Sequence, residues 1–411
     1  MKVYRGCGAV LLLVSSAAAQ TSGFEQRGFL ESQTFLFPQT APNDSAVALD
    51  QALFQWDATY KPAPWFRLSG SFDARADTHR QVDRQAAVSL DDRRIRRPAL
   101  DMRLLSAQFH KGFLTLEIGR QLIRWGRTDI LTPTDRFTPR DYLTAVIASD
   151  PLAVNAVRAT LSGGNDSLDL VWQPWFTPSR IPLFDQRWNP LPSEVDGLQI
   201  VDAGAHYPGG SQEGARWNHV GGQFEFALAY FRGFNNLPLF ETQANPAAAT
   251  LLVERHYANM QMAGGDLAWQ FPWVTVAGEA GYFRSSTPGA QDYVLYVVQL
   301  ERQVREWMLT AGYTGSEIAG GPSTPLQFLP DLEISKSFVG RASLTIDVNR
   351  SISIETAVRG GGSFVRAEYS QAIGNHWRIT PVAAWLRGDP TDFLGQYRRN
   401  SYLELVVRYS F

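Results

Sequence analysis

This chain of 411 residues predicts an all-β fold: a single closed antiparallel transmembrane β-barrel of about eighteen strands, with sixteen or twenty as the alternative counts. Three observations carry that expectation. The last stretch, Ser401 to Phe411, is apolar on one parity and polar on the other. The same alternation returns along most of the chain with charges on the polar side, and the connections are short and long by turns. Side chains of a strand point to opposite faces with period two, so these strands build a sheet with one apolar side. The chain contains no partner sheet to bury that side. Lipid is the remaining apolar solvent, and closing the sheet removes the unpaired edges that lipid would not tolerate.

At the N-terminus, Lys2 and Arg5 precede an apolar run from Ala9 to Val14, and Ala17-Ala18-Ala19 offers a small-x-small cleavage site. Residues 1–19 are therefore expected to be a secretory signal peptide, and residues 20–411 the barrel. The only cysteine, Cys7, falls in this leader with no lipoprotein pattern around it, so the mature chain has no disulfide and no thiol-based metal or redox chemistry. Hydrophobic residues make up 44% and mean hydropathy is -0.20. No apolar stretch approaches the ~20 residues of a membrane helix, so insertion must be by strands. Twelve Trp, fourteen Tyr and twenty-four Phe suit interfacial girdles. A net charge of -2 points to no nucleic-acid partner, and no cofactor is expected.

The cleanest strand is Phe66 to Asp77. Phe66, Leu68, Phe72, Ala74 and Ala76 face one way, and Arg67, Ser69, Ser71, Asp73, Arg75 and Asp77 the other. A polar side with four charges is wrong for a sandwich core and right for a water-filled lumen. Short turns are expected at Lys61 to Pro64, Lys111-Gly112, Gly163 to Asn165, Gly221-Gly222, Pro272-Trp273, Val304-Arg305, Asn349-Arg350 and Gly374-Asn375. Nine longer connections lie between them, near 38–47, 79–98, 121–151, 176–213, 235–250, 285–291, 317–330, 360–363 and 387–398. That alternation joins an even number of strands with both ends of the barrel on the short-turn side. Phe338, Leu344, Ile346 and Val348 then oppose Arg341 and Asp347, Val365 and Tyr369 oppose Arg366 and Glu368, and Trp377 and Trp385 oppose Arg378.

In the last strand Leu403, Leu405, Val407, Tyr409 and Phe411 oppose Tyr402, Glu404, Arg408 and Ser410. It resembles the C-terminal strand of bacterial outer-membrane barrels, where an aromatic at the third-last position and a terminal Phe are read by the barrel-assembly machinery. The resemblance implies that Tyr409 and Phe411 are an assembly signal, with outer-membrane lipid and that machinery as partners and the bacterial outer membrane as location.

The densest charged segment runs from Gly119 to Leu143, with breaks at Thr132-Pro133 and Thr138-Pro139. Through Gly119-Arg120-Gln121 followed by Trp125-Gly126 at the end of a strand, the chain resembles porin-like outer-membrane barrels of the alginate-export kind and an uncharacterised related group. By analogy with a constriction loop, the connection 121–151 is expected to fold inward and bring Arg120, Arg124, Arg127, Asp129, Asp135, Arg136, Arg140 and Asp141 to the narrowest part of the pore, with Arg120, Arg124 and Arg127 facing the solute. Pairing of these opposite charges with one another, which would pin the loop to the wall, is compatible with that. From the strands, Arg67, Arg75, Glu117, Arg341, Arg366, Glu368 and Arg408 complete the candidate pore lining, and Asp73, Asp77, Arg158, Asp347, Glu355, Arg359, Arg378 and Glu404 share those polar faces.

From Trp172 to Pro192, the aromatics Trp172, Trp175, Phe176, Phe184 and Trp188 alternate with Pro174, Pro178, Pro182, Pro190 and Pro192. This predicts a stiff extended segment, an aromatic girdle leading into a rigid lid within the long extracellular loop 176–213. Aromatic faces there could also stack on sugar rings. His79, His110, His206, His219, His256 and His376 sit singly, with no HExxH, nucleophile elbow or P-loop, so no catalytic or metal residue is expected. The function expected is a channel, porin or exporter-coupled pore, for small polar, anionic or carbohydrate-like (oligosaccharide) solutes, with a periplasmic or inner-membrane export system as a candidate partner. The alternatives are an outer-membrane enzyme such as a lipid hydrolase and a plugged structural or adhesive barrel. A TonB-dependent receptor is disfavoured because no plug domain precedes the first strand.

Overall fold

The computed structural model describes residues 23–87, 90–129, 131–189, 194–322 and 326–411. The expected signal peptide, Cys7, Pro190 and Pro192 lie outside them. Eighteen strands form the wall: β1 (Phe24–Leu36), β2 (Ala48–Ala63), β3 (Phe66–Asp77), β4 (Arg97–Lys111), β5 (Leu114–Gln121), β6 (Val154–Gly163), β7 (Asp166–Gln173), β8 (Gln212–Gly221) and β9 (Phe224–Phe234) make the first half. The second half is β10 (Asn259–Gln270), β11 (Thr275–Arg284), β12 (Asp292–Val304), β13 (Trp307–Gly320), β14 (Ser337–Asp347), β15 (Arg350–Arg359), β16 (Gly362–Ile373), β17 (Trp377–Gly388) and β18 (Tyr402–Ser410). Each pairs antiparallel with its predecessor, and β18 pairs with β1 from Leu36 with Leu403 to Phe29 with Ser410, so the sheet is a closed barrel.

The eight short turns fall where the sequence predicts them, seven of them on Gly, Pro or Asn and one at Arg305-Glu306, and both ends of the barrel lie at the short-turn rim. Two long connections differ from expectation. The one after β9 runs to residue 258 because it carries two strands of its own, Leu239–Asn245 and Thr250–His256, paired in a small sheet with Leu198–His206. The one after β13 starts at 321 because that strand keeps its ladder with β12 as far as Gly320, which pairs with Asp292.

The expected parity holds on the outer face. Leu228, Leu403 and Phe338 there are 56%, 56% and 69% exposed. Trp65, Trp273, Trp307 and Trp377, all exposed, stand within a few residues of short turns and form the girdle of that rim. The terminal Phe411 extends the last ladder: its N–H donates to the Gly28 carbonyl (3.0 Å), and it accepts from the Gly28 N–H (3.1 Å). Its ring lies over Gly28, where an added Cβ would meet ring carbons at 2.6 and 2.8 Å, and stacks on Phe54 at 6.1 Å.

The inner face departs from a simple water-filled lumen. On the arc from β6 to β12 it carries Phe231, Met262, Phe283 and Leu295, all but fully buried, against Ile123, Trp125, Leu131 and Phe137 of the connection 122–153. A second apolar core on the arc from β14 through β18 to β1 packs Phe35, Phe364, Leu386 and Tyr402 against Tyr142, Val146, Trp188 and Phe328 from three different connections. Polar groups occupy the seam between the two cores.

Candidate functional site

The motif at Gly119 is the launching point of the inward connection. Gly119 has φ +122°, and a Cβ there would stand 2.2 Å from the Leu105 carbonyl, so only glycine lets the edge of β5 turn in against β4. Gly126 has φ +107° and passes 2.9 Å (at an added Cβ) from the Glu279 carboxylate of β11. Between them Trp125 is buried. Its indole N–H donates to Asp169 of β7 at 3.1 Å, and its ring meets Phe137 edge-on at 5.1 Å, which in turn meets Phe231 at 5.0 Å. Gly214 of β8 is the space these two rings occupy, since a Cβ would lie 2.8 Å from both.

Polar anchors then fix the segment to the wall. Glu279, 3% exposed, accepts five hydrogen bonds: Arg127 N–H (2.9 Å), Thr128 N–H (3.3 Å), Thr128 Oγ (3.0 Å), Thr134 N–H (2.7 Å) and Thr134 Oγ (2.8 Å). The Arg127 guanidinium donates to Asp266 of β10 (2.8 Å) and to Glu225 of β9, and Arg216 of β8 grips the other Asp266 oxygen at 2.7 Å. Arg127, expected to face the solute, is thus committed to the wall. The reason is that a desolvated guanidinium beside two wall carboxylates is far better paired than free. Asp135 is likewise buried and internal, accepting from Thr138 Oγ (2.9 Å). Burial pushes its carboxyl up to about 6, against the opposing pull of Arg140 and Arg136. Arg136 pairs with Asp331 (3.6 Å) and covers the Phe283 ring, and Arg140 is half-buried. Arg124 and Asp129 remain exposed.

Along the seam, three arginines and three aspartates alternate: Arg97–Asp141 (2.8 Å), Asp141–Arg180 (3.4 Å), Arg180–Asp92 (2.7 Å), Asp92–Arg120 (3.1 Å) and Arg120–Asp101 (3.4 Å). None exceeds 14% side-chain exposure, and the chain of pairs joins β4 and β5 to three connections. Arg120, expected to face the solute, is a buried link in this chain of opposite-charge pairs, the pairing that the sequence also allows. Burial alone would raise the Asp141 carboxyl, but Arg97 and Arg180 together hold it at about 2.

Beside this network lies a cavity of about 360 Å³, bounded by β1 to β4, β16, β18 and residues 141–153 of the inward connection. Arg75, Arg97, Arg103, Arg120, Arg180, Arg366 and Arg408 line it, with Glu31, Asp73, Asp101, Asp141, Asp150 and Glu404. Several are paired: Arg408 with Glu31 across β18 and β1 (2.5 Å), and, two apart on their own strands, Arg75 with Asp73 (2.8 Å) and Arg366 with Glu368 (2.8 Å). Arg103 is different. The register between β3 and β4 slips there, Phe72 pairing with Met102 and Ser71 with Leu104, so Arg103 is the extra residue of a β-bulge, a device that re-aims a side chain. Among the described residues it has no ion pair.

Of the expected lining, Arg75, Arg120, Asp141, Arg366 and Arg408 meet at this cavity. Arg67, Glu117, Arg341 and Glu368 share the inner parity but lie outside it, Glu117 accepting from Ser106 (2.7 Å) and Arg341 beside Glu355 (3.5 Å). Arg124, Arg127, Asp129, Asp135, Arg136 and Arg140 lie outside it too. Tyr409 packs on Trp377 at 5.0 Å on the outer face. Sequence reasoning missed Arg97, Asp101, Arg103, Arg180, Asp266 and Glu279. Arg97 falls inside the expected connection 79–98, Arg180 sits among prolines, and a bulge leaves no mark on alternation beyond one broken step. The lid expectation divides: Trp172 and Trp175 are exposed, whereas Phe176 and Trp188 are buried, and the segment reaches across the long-loop rim to the connection before β18, where Asn400 donates to the Arg187 carbonyl (2.8 Å). The histidines are not all single, for His206 and His256 stack at 5.0 Å.

No protein-family model and no curated protein matches the chain. Solved structures do. A BenF-like porin from Pseudomonas fluorescens Pf-5 aligns at TM-score 0.55 and 10% identity over 94% of this chain and 98% of its own. OccAB4 of Acinetobacter baumannii aligns at TM-score 0.56 and 9% identity over 95% and 99%. OpdK of Pseudomonas aeruginosa, in a structure with vanillate, aligns at TM-score 0.54 and 10% identity over 94% and 98%. The alginate-export kind is not represented among these. In its eighteen-stranded fold, this chain is similar to outer-membrane porins.

Proposed function

We propose that the protein is an outer-membrane channel for small anionic solutes, in which the inward connection closes one side of the lumen and leaves the arginine-lined cavity as the passage. The observation that carries this reading is Arg103, a cation without an ion pair among the described residues, aimed by a bulge at a cavity whose other arginines are held in place by fixed partners. A cavity of about 360 Å³ falls within the ~300–1,000 Å³ of sites for small molecules. Fixed cations at a constriction lower the barrier to anions, and guanidinium suits carboxylate geometry. Location in the outer membrane is supported by the closed barrel, the lipid-compatible outer face and the fold shared with porins. The alginate-type motif supports carbohydrate export less well, because its residues have structural duties in launching the inward connection.

The test is the reversal potential of the refolded protein in a planar bilayer under a salt gradient. The native protein should be anion-selective, and Arg103→Glu should move selectivity toward cations. A native channel that is cation-selective, or a reversal potential indifferent to Arg103→Glu, would overturn the reading. Vanillate, a compact carboxylate, is a suitable blocking probe.

A further inference from the structure

We infer that the small sheet at the long-loop rim is a binding site for a divalent transition metal of the zinc class, with His206, His256 and Glu254 as ligands and Glu241 as a fourth. The strands that carry them, Leu198–His206, Thr250–His256 and Leu239–Asn245, belong to two connections and lie side by side. Glu254 and His256 are two apart on one strand and so share a face, and Glu241 stands directly opposite Glu254. His206 reaches that face through a register shift. Between Asp202 and Ala205 the parallel ladder takes one extra residue, which brings His206 opposite His256 where an unbroken register would have paired it with Tyr257. The Arg255 guanidinium holds the bulge on the other face, gripping Asp202 (2.8 Å) and the Gly204 carbonyl (3.2 Å).

The distances fit one small ion. His206 Nε2 lies 2.9 Å from one Glu254 oxygen, and His256 Nε2 lies 3.5 Å from the other and 3.4 Å from Glu241. Ligands 2.0–2.1 Å from a tetrahedral zinc stand about 3.3 Å apart. The ligand atoms of His206, Glu254 and His256 all fall within 4.8 Å of one another. Two further observations point to a cation. His256 Nε2 is buried and makes no hydrogen bond, although two carboxylates flank it. Glu241 and Glu254 are like charges directly across a ladder, an arrangement that repels without a cation between them. Mixed imidazole and carboxylate donors select zinc-class ions over calcium or magnesium, which prefer oxygen alone. Bound there, the ion would clamp the connection after β7 to the one after β9, beside the stacked pair Tyr207 and Tyr257 (5.6 Å).

The experiment titrates Zn²⁺ into the refolded full-length barrel against a chromophoric chelator, with Co²⁺ absorption as a second readout and limited proteolysis of residues 196–258 as a third. One saturable site, a tetrahedral Co²⁺ spectrum and slower proteolysis with metal are expected. His206→Asn and His256→Asn should each weaken binding by more than about tenfold, which is the lower end of what loss of even an outer partner costs. His219→Asn, far from the cluster, should leave it unchanged. His206 is 69% exposed, so its variant leaves folding of the barrel intact. No saturable binding, or binding equal in the native, His206→Asn and His256→Asn proteins, would overturn the assignment, as would loss with His219→Asn alone.

Discussion

Replacing Glu279 by Ala should release the inward connection from the wall while leaving the barrel closed. Glu279 is buried and accepts five hydrogen bonds from Arg127, Thr128 and Thr134. Each bond to a charged acceptor contributes roughly 1.5–3 kcal/mol, but they share one carboxylate and do not add. Leaving several buried donors without their acceptor costs about 3–5 kcal/mol in all, because each of them remains desolvated. The Arg127 guanidinium keeps Asp266 and Glu225, and the Trp125 and Phe137 rings keep their apolar seat, so the lower part of that range applies to docking. About 3 kcal/mol corresponds to roughly a hundredfold rise in the undocked population. Glu279→Gln should fall between, since its amide offers one acceptor oxygen and presents N–H groups to donors. The assay is single-channel conductance in planar bilayers beside proteolysis of residues 122–153, with heat-modifiable mobility reporting the barrel. Noisier, larger conductance and faster cleavage, with mobility unchanged, are expected. Native conductance and native cleavage in a folded Glu279→Ala protein would refute the anchoring role.

Other consequences concern faces, closure and pH. Ile354→Arg, on the outer face midway along β15, should cost about 2–4 kcal/mol in a refolding titration, whereas Ser353→Arg, on the inner face, should cost little; equal costs would invert the assigned parity. Gly28→Ala should lower the yield of heat-modifiable barrel as Phe411→Ala does, because its Cβ would stand 2.6 Å from the Phe411 ring and 2.8 Å from the Gln55 carbonyl, an overpacking of about 1–3 kcal/mol. A normal yield would separate closure from the seating of Phe411. Acid should act on docking in two opposite steps. Burial raises Asp135 to about 6, so its contribution is present below the unfolded value of about 3.9 and lost as pH rises through 6; conductance should become quieter from pH 7 to 5. Asp141 is held at about 2, so its contribution of roughly 2 kcal/mol is present above pH ~4 and lost as pH falls through 2, where conductance should rise again. A monotonic pH dependence would contradict one of the two assignments.

The barrel itself was legible in the chain because each of its causes is local. Alternation at Phe66–Asp77 or Tyr402–Ser410 assigns a face within a single strand, and glycine, proline and asparagine mark turns within two or three residues. Counting turns then yields eighteen strands, and an apolar face without a partner sheet implies lipid. What only the tertiary structure decided is the use of the interior. Whether Arg127 meets solute or Asp266 depends on residues 139 positions apart, and the chain Arg97–Asp141–Arg180–Asp92–Arg120–Asp101 joins five segments that no periodicity connects. The alternation even misleads there, since Phe231, Phe283 and Leu295 face inward in company with acids, and are covered by a loop that supplies its own apolar side chains. Arg103 and the pair His206 and His256 owe their placement to one-residue bulges. A bulge answers to the twist and pairing of two strands at once, so a pattern read along one strand does not contain it.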